Sequence, residues 1–277
     1  MHPQFGFFLT PNASDASSLV STARLLDELG YDFAGIQDHP YQRRFLDTWT
    51  LISYLAAHTR NIRFFPDVAS LPLRPPAILA KSAASLDVLS GGRVEVGLGA
   101  GAFWDAIEGM GGPRRSPGEA LQALREAIDV MRLMWSDQRS VSYDGEIYQL
   151  NGIHPGPVPA HAIEIWLGVT GPRALALLGS HADGWVPSMS FVPPEKLPGL
   201  QARIDDAAVA ANRDPAAIRR VYNIWGEFER NEWIDLLSGL ARDQRIGTFI
   251  LGGPDDEATL RWFAEDIIPA VRAEVSG

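Results

Sequence analysis

The sequence predicts a single α/β domain over residues 1–277, folded as a (β/α)8 TIM barrel, and three observations lead to that prediction. Short apolar segments alternate with longer amphipathic segments eight times, which is the pattern of parallel strands joined by helices. The chain length of 277 residues is close to the roughly 250 that such a barrel needs. No linker-like or low-complexity stretch divides the chain. A doubly wound open sheet would alternate in the same way, but usually with about five to seven strands.

Strands are expected where short apolar or alternating runs stop at turn residues. The predicted barrel strands are Gln4–Leu9, Phe33–Gln37, Ile62–Val68, Arg93–Leu98, Ile163–Gly168, Asp183–Pro187, Ile218–Trp225 and Ile246–Leu251. Pro66 weakens the end of the third strand, because proline removes a hydrogen bond from the ladder. A small additional hairpin is expected over Val141–Leu150, with its turn at Asp144 and Gly145.

Helices are expected where apolar residues recur at helical spacing between proline or glycine boundaries. The predicted helices are Ser17–Leu29, Leu46–Thr59, Pro75–Leu89, Ser116–Trp135, Pro172–Ser180, Pro194–Asn212, Asn231–Asp243 and Asp255–Arg272. Gly30 ends the first helix and Gly91 ends the third, since glycine readily takes the left-handed conformation that closes a helix. Pro269 is expected to disturb the last turn of the final helix.

Composition and charge narrow the range of functions. The 24 basic and 34 acidic residues give a net charge of −10, which argues against nucleic-acid binding. Cysteine is absent, so disulfides, thiolate nucleophiles and cysteine-ligated metals are excluded. No apolar run reaches the roughly 18–20 residues of a membrane span, and the N-terminus does not match a secretory signal. We therefore expect a cytoplasmic protein that acts on a small molecule.

In a barrel, the C-terminal ends of the strands meet on one face and carry the chemistry. Asp38 and His39 follow the second predicted strand, and a carboxylate can orient an imidazole or raise its pKa for acid–base catalysis. A loop histidine with a purely structural hydrogen bond is the alternative interpretation. No His-x-His or His-x-x-x-His pair occurs, so no metal site is expected. The remaining histidines are expected to be surface or structural groups: His2, His58, His154, His161 and His181.

Two turns at other strand ends are further candidates. The Gly99-Ala100-Gly101 turn lacks the spacing of a dinucleotide-binding loop, so it is either a tight turn or a close approach to a flat ring or phosphate. The Thr170-Gly171-Pro172-Arg173 segment opens a helix. Its N–H groups, hydroxyl and guanidinium suit an anion, although ordinary helix capping explains the same residues.

Four stretches of the chain carry a resemblance to a known family. The most specific one, Pro72–Phe103, contains a Leu-Ser-Gly-Gly-Arg element that leads into a Gly-x-Gly-x-Gly strand end. The others are Gly30–Pro40, Ile163–Ser188 and Leu260–Arg272. Together they resemble the luciferase-like monooxygenase superfamily, whose members bind FMN or the deazaflavin coenzyme F420 in a barrel. The resemblance implies an oxidoreductase that transfers a hydride between F420 and a small organic substrate.

The resemblance also implies roles for individual residues. Asp38 and His39 match the pair that faces the reactive ring in deazaflavin-dependent members, which makes them the expected acid–base pair. A non-prolyl cis peptide behind the ring is expected at Asp67–Val68. The implied cofactor-binding residues are Asp67, Val68, Ala69, Gly99, Ala100, Gly101, Thr170, Gly171 and Arg173, of which the last three match the phosphate end. The expected substrate contacts are Phe8, Trp104 and Trp185. Ala102 stands where sugar-phosphate dehydrogenases of this family carry an acidic proton donor, so a sugar phosphate is not the expected substrate.

Other functions stay open at this point. An FMN-dependent monooxygenase would have the same fold and would use reduced flavin, O2 and a partner reductase. A flavin-binding relative without turnover and a nicotinamide-dependent enzyme are further alternatives, the latter disfavoured by the glycine spacing. Many family members are dimeric, so a homodimer is expected. The loop Gly109–Arg115 is glycine-rich and basic, and is either a lid over an anionic ligand or a solvated connection.

Overall fold

A parallel barrel forms the centre of the computed structural model, which describes residues 2–276. Its strands are β1 (Gln4–Leu9), β2 (Phe33–Ile36), β3 (Arg63–Pro66), β4 (Ala69–Ser70), β5 (Val96–Gly99), β8 (Ile165–Leu167), β9 (Gly184–Trp185), β10 (Arg219–Trp225) and β11 (Thr248–Gly252), while β6 (Val141–Asp144) and β7 (Gln149–Ile153) form the expected separate hairpin. Their order in the main sheet is β3-β2-β1-β11-β10-β9-β8-β5-β4.

The sheet closes into a barrel because β3 and β4 together form one of its strands. Phe64 of β3 forms a parallel bridge with Val94, and Ala69 of β4 pairs with Leu98 of β5. The predicted (β/α)8 TIM barrel is therefore confirmed. Several strand boundaries differ from the predictions by a few residues, and the expected strand Ile62–Val68 ends at Pro66. The peptide between Asp67 and Val68 is cis and separates the two halves.

Helices surround the barrel on its outer side. Within the described residues they are α1 (Ala16–Glu28), α2 (Thr48–Ala57), α3 (Pro76–Ser90), α4 (Trp104–Gly109), α5 (Pro117–Met134), α6 (Pro172–His181), α7 (Leu197–Ala210), α8 (Arg230–Gln244), α9 (Glu257–Trp262) and α10 (Ile268–Ser276). A π turn joins α9 to α10 directly before Pro269, whose missing N–H leaves a carbonyl of the preceding turn without its helical donor. The expected disturbance is therefore present, but the helix continues beyond Arg272.

The helix ends follow from local sequence. Ser116 and Glu119 form a reciprocal capping box at the start of α5, and Pro117 occupies its first turn, where no N–H is needed. Gly91 closes α3 with φ of 74°, in the left-handed region that glycine adopts without steric cost. Both helices carry the chain away from the glycine-rich C-terminal rim, toward the opposite end of the barrel.

Two apolar layers hold the fold together. The inner layer fills the barrel with Phe33, Phe65, Trp166, Val186, Val221 and Ile250, with Phe8 and Val68 packed against it. The outer layer lies between strands and helices. At the N-terminal end of the barrel, Arg219 makes a two-pronged contact with Glu164 at 2.7 and 3.0 Å and closes that end. No helix among residues 2–276 is long and apolar enough to cross a membrane.

Candidate active site

The site lies at the C-terminal rim of the barrel, where the strand ends bring separate segments together. Val68 stands at its centre. A Cβ atom added to Gly99 would lie 2.8 Å from the Val68 side chain, and one added to Gly168 would lie 3.0 Å from it. The ends of β3, β5 and β8 therefore meet around one valine. The third, fourth and fifth predicted strand ends therefore pack together on this face.

Asp38 is a buried carboxylate that is fully paired. Arg74 donates to it from Nε and from Nη2, both at 2.7 Å, and the Ser70 backbone N–H donates at 2.9 Å. The same guanidinium reaches Asp47 at 2.7 Å. A planar guanidinium that binds a carboxylate through two nitrogens is the strongest common form of this contact. Asp38 is thus a fixed negative charge beneath the rim.

His39 is held by a different neighbour from the one expected. Its Nδ1 lies 2.5 Å from the Tyr41 hydroxyl, and the Tyr41 and Phe103 rings each lie with their centroids 5.3 Å from the imidazole. Asp38 makes no hydrogen bond to it within the described residues, because Arg74 occupies that carboxylate. The expectation that Asp38 orients His39 is corrected, and Asp38 acts through its charge alone. Burial lowers the pKa of His39 more than the Asp38 charge raises it, so the ring is neutral near pH 7.

The segment after β3 carries the predicted cis peptide and an unusual acid. The expectation of a cis bond at Asp67–Val68 is confirmed. Asn223 donates to Asp67 Oδ1 at 3.1 Å, but Asp67 Oδ2 and Asn223 Oδ1 are buried with no partner among residues 2–276. Burial raises the pKa of Asp67 to about 7. Two buried oxygens at the barrel mouth therefore lack a hydrogen-bond donor.

Glycines let the turn after β5 pack closely against its neighbours. Gly101 has φ of 103°, and a Cβ there would lie 2.7 Å from Pro72 Cγ and 2.9 Å from the Trp104 ring. Gly99 is buried, whereas Ala100 and Gly101 are half-buried at the rim. The unpartnered oxygens of Asp67 and Asn223 suit the polar edge of a flat tricyclic ring, such as that of F420 or FMN.

Of the predicted substrate contacts, two lie near the rim and one does not. Phe8 is half-buried and meets Trp225 edge-on at 5.2 Å, and half-buried Trp104 begins α4 beside Gly101. The prediction for Trp185 is wrong. Trp185 is fully buried in the outer layer, and its Nε1 donates to the Val169 carbonyl at 2.8 Å.

The alternation of side chains along β9 explains that error. A Cβ on Gly184 would lie 2.4 Å from the Trp166 ring, so Gly184 faces the barrel interior. The next residue must then face outward, toward the helices. Trp185 consequently supports the packing of the barrel and does not reach the rim.

The predicted phosphate end lies at the start of α6. Thr170, Gly171 and Arg173 are exposed, and Gly171 is the residue that caps the helix. Both the anion-binding and the capping interpretations fit this geometry.

The basic residues of the loop Gly109–Arg115 bind the protein itself. Arg114 contacts Asp105 and Glu108, and Arg115 donates to the Tyr148 hydroxyl at 3.1 Å. These contacts tie the loop to α4 and to the hairpin. The charge of Arg114 is therefore paired, whereas Arg115 contacts a neutral phenol and its Nη1 is buried without a partner among residues 2–276.

Sequence reasoning missed three side chains of the site. Tyr41 lies two residues after the Asp-His pair, and Arg74 stands among prolines in the Leu-Pro-Leu-Arg-Pro-Pro run. Asn223 is an amide within the otherwise apolar end of a strand, which is the clearest sequence signal of the three. A polar residue in such a place usually needs a specific partner.

Chemistry gathered at the C-terminal strand ends is the arrangement of TIM-barrel enzymes. A family model described as luciferase-like monooxygenase matches residues 3–225, which is most of the chain. This chain therefore belongs to the luciferase-like monooxygenase family. The resemblance seen in the sequence is confirmed.

Relatives and solved structures extend the comparison. The 5,10-methylenetetrahydromethanopterin reductase of Archaeoglobus fulgidus is 28% identical over 251 residues, which cover 90% of this chain and 71% of that one. An F420-dependent secondary alcohol dehydrogenase in complex with an F420–acetone adduct has a TM-score of 0.85 at 19% identity, covering 98% of this chain and 99% of the other. A long-chain alkane monooxygenase has a TM-score of 0.83 at 14% identity, covering 99% and 92%. At these identities the two structures establish the fold, and the family establishes an oxidoreductase class.

Proposed function

We propose that this chain transfers a hydride between F420 and a small organic substrate, with His39 moving the accompanying proton near Asp38. The observation that carries the proposal is the position of the Asp38-His39 pair at the barrel rim, where the His39 ring contacts Phe103, two residues after the Gly99-Ala100-Gly101 turn. The similarity to an F420-dependent alcohol dehydrogenase supports it. We take residues 1–277 to act as one domain in the cytoplasm.

Named residues would hold the cofactor. When bound, F420 supplies a ring carbon that carries a hydride. The segment Asp67–Ala69 would lie behind its ring, and Gly99, Ala100 and Gly101 beside it. Thr170, Gly171 and Arg173 would take the phosphate end, because free N–H groups at a helix start and a guanidinium both attract an anion. The buried oxygens of Asp67 and Asn223 would accept hydrogen bonds from the polar edge of the ring.

The remaining side chains position the substrate and the proton. Phe8 and Trp104 offer apolar surface at the rim, and Phe103, 54% exposed, covers His39 from the side of solvent. A neutral imidazole at pH 7 can give or take a proton at Nε2, which has no partner within the described residues. The Asp38 charge stabilises any positive charge that develops on His39.

An FMN-dependent monooxygenase is the second candidate. The family description and the fold shared with a long-chain alkane monooxygenase favour it. It would need reduced flavin, O2 and a partner reductase. The two candidates differ in whether they react with O2, since 5-deazaflavins carry hydride without forming a productive adduct with O2.

Turnover assays separate the two candidates. We would follow the absorbance of oxidised F420 without oxygen against a panel of secondary alcohols, and measure O2 uptake separately with reduced FMN. If the chain transfers a hydride, F420 should be reduced, and the turnover rate should fall by about 10²–10⁴ in His39→Ala. The control His154→Ala, which changes an exposed histidine on the hairpin side, should keep the wild-type rate. O2 uptake with FMN alone would favour the monooxygenase, and full activity in His39→Ala would remove the assigned role of His39.

We also propose that two copies of the chain associate. Four large apolar side chains are exposed on the neighbouring helices α2 and α3, namely Tyr54, Ile78, Val88 and Leu89, of which Leu89 is 84% exposed. Exposed apolar surface shared by neighbouring helices is typical of contact surfaces. Light scattering should give twice the chain mass for the wild type and the chain mass for Leu89→Glu. A monomeric wild type would overturn the proposal.

A further inference from the structure

The Tyr41–His39 contact is an unexplained feature of the rim. The Tyr41 hydroxyl is the hydrogen-bond partner of His39 Nδ1, at 2.5 Å, and has no other partner within the described residues. Tyr41, His39 and Phe103 form an aromatic cluster in which the Tyr41 and Phe103 centroids are 5.9 Å apart. This packing fixes both rings of the hydrogen-bonded pair. The contact therefore joins two side chains that are held in place by packing and lie outside the segments expected to bind the cofactor.

We propose that Tyr41 is a positioning residue that sets the tautomer of His39, so that Nε2–H is presented to an oxygen atom of the substrate. The inference deepens the proposed function and rests on it for the identity of the acceptor. It predicts that the site serves substrates with a carbonyl or hydroxyl at the reacting carbon.

The direction of the hydrogen bond follows from the two groups. A phenol is a strong donor and a weak acceptor, whereas the unprotonated imidazole nitrogen is a strong acceptor. Burial and the Asp38 charge raise the pKa of Tyr41 to about 12, so the phenol keeps its proton. Tyr41 O–H therefore donates to Nδ1. A neutral imidazole that accepts at Nδ1 carries its own proton on Nε2.

Tyr41 and His39 together account for the proton that the substrate takes. When a substrate oxygen takes the Nε2 proton, Nδ1 takes the Tyr41 proton, and the His39 ring stays neutral. After the product leaves, Nε2 of half-buried His39 takes a proton from water, and Nδ1 returns its proton to the Tyr41 phenolate, which restores the Nε2–H tautomer and leaves hydroxide in the solvent. Oxidation of an alcohol runs the same steps in reverse. Without Tyr41, loss of the Nε2 proton would leave an imidazolate.

Nitrogen-15 NMR of the histidine-labelled protein without cofactor tests the tautomer directly. The His39 signals are identified by their loss in His39→Gln. We expect Nε2–H in the wild type near pH 8, and a mixture of tautomers in Tyr41→Phe, which keeps the ring against Phe103. The matched control is Tyr143→Phe, because that hydroxyl binds Asp129 on the hairpin side at 3.1 Å. The control should leave the His39 signals unchanged.

A pH titration of the same signals gives a second readout. The charged groups that act on His39 are Asp38 and, through it, Arg74, while Phe103 covers the ring with an apolar face. The Tyr41 hydrogen bond stabilises the neutral ring, so Tyr41→Phe should move the His39 midpoint to higher pH. In turnover, Tyr41→Phe should lose about 10–100-fold, and should add no loss to His39→Ala.

The outcomes are distinct. An Nδ1–H tautomer in the wild type, or a Tyr41→Phe variant with the same tautomer and midpoint, overturns the inference. The expected NMR result combined with no binding of F420 would overturn the proposed function, while the assignment of the tautomer would stand.

Discussion

His161 forms a charged clamp at the N-terminal end of the barrel, and its removal gives a stability prediction of calculable size. Its Nδ1 lies 2.8 Å from Asp87 Oδ1, and its Nε2 lies 3.2 Å from Glu95 Oε1. The two carboxylates are 0% and 2% exposed, whereas the imidazole is 30% exposed. Hydrogen bonds and charge from Glu95 and Asp87 raise the pKa of His161 to about 9, from 6.5. The clamp joins α3, the segment before β5 and the loop before β8.

The sign and size of the effect follow from that pKa. A histidine whose pKa is raised by folding contributes stability that is fully present below pH 6.5 and is lost as pH rises through about 9. The difference corresponds to about 3 kcal/mol of unfolding free energy. Solvent screens the exposed third of the ring, so we expect about 1–2 kcal/mol.

Urea unfolding at pH 6 and pH 9.5 measures the prediction. His161→Gln keeps a donor for one carboxylate but cannot become charged. The unfolding free energy of the wild type should therefore decrease from pH 6 to pH 9.5 by about 1–2 kcal/mol more than that of His161→Gln. His154→Gln, on an exposed histidine, is the control and should behave as the wild type. Equal falls for the wild type and His161→Gln would refute the reasoning.

Two further predictions concern the rim. Burial raises the pKa of Asp67 from its ordinary value of 3.8 to about 7, so between these pH values Asp67 stays protonated in the folded protein but loses its proton in the unfolded chain. The unfolding free energy of the wild type should therefore decrease as the pH rises from 3.8 to about 7, by up to about 4 kcal/mol. Asp67→Asn should lose that decline in urea unfolding between pH 5 and pH 8, and an unchanged decline would contradict the assignment. Gly101→Ala should destabilise the protein by about 1 kcal/mol or more in thermal unfolding, because of its φ of 103° and the 2.7 Å approach to Pro72. Gly109→Ala, with no atom near the added methyl, should be close to neutral, and similar effects at both positions would contradict the steric account.

Local patterns predicted most of the fold. The apolar run Gln4–Leu9 stops at a Thr-Pro pair and is a strand over those same residues. Gly91 ended α3 as expected, because a left-handed closing residue is a local requirement. The six-residue helix α4 lies in a segment for which no helix was predicted, since so short a helix leaves little periodicity to detect.

The site was predicted less completely, for physical reasons. Trp185 was misplaced because a shift of one residue reverses the face of a strand, and β9 has only two residues to fix that phase. The partner of Asp38 is Arg74, which lies 36 residues away, and no local rule connects them. The Asp67–Val68 cis bond came from the family resemblance, and the Tyr41 contact with His39 came only from the folded rim.

A fluorescence titration tests whether the barrel rim binds F420. Oxidised F420 and FMN would be titrated into the wild type, Arg173→Ala and the control Arg24→Ala, which changes an exposed arginine on α1. We expect F420 to bind at least about 10-fold more tightly than FMN. Its binding should be about 10-fold weaker in Arg173→Ala, through loss of a charge-assisted contact, and unchanged in Arg24→Ala. Tighter binding of FMN, or binding of neither cofactor, would contradict this expectation.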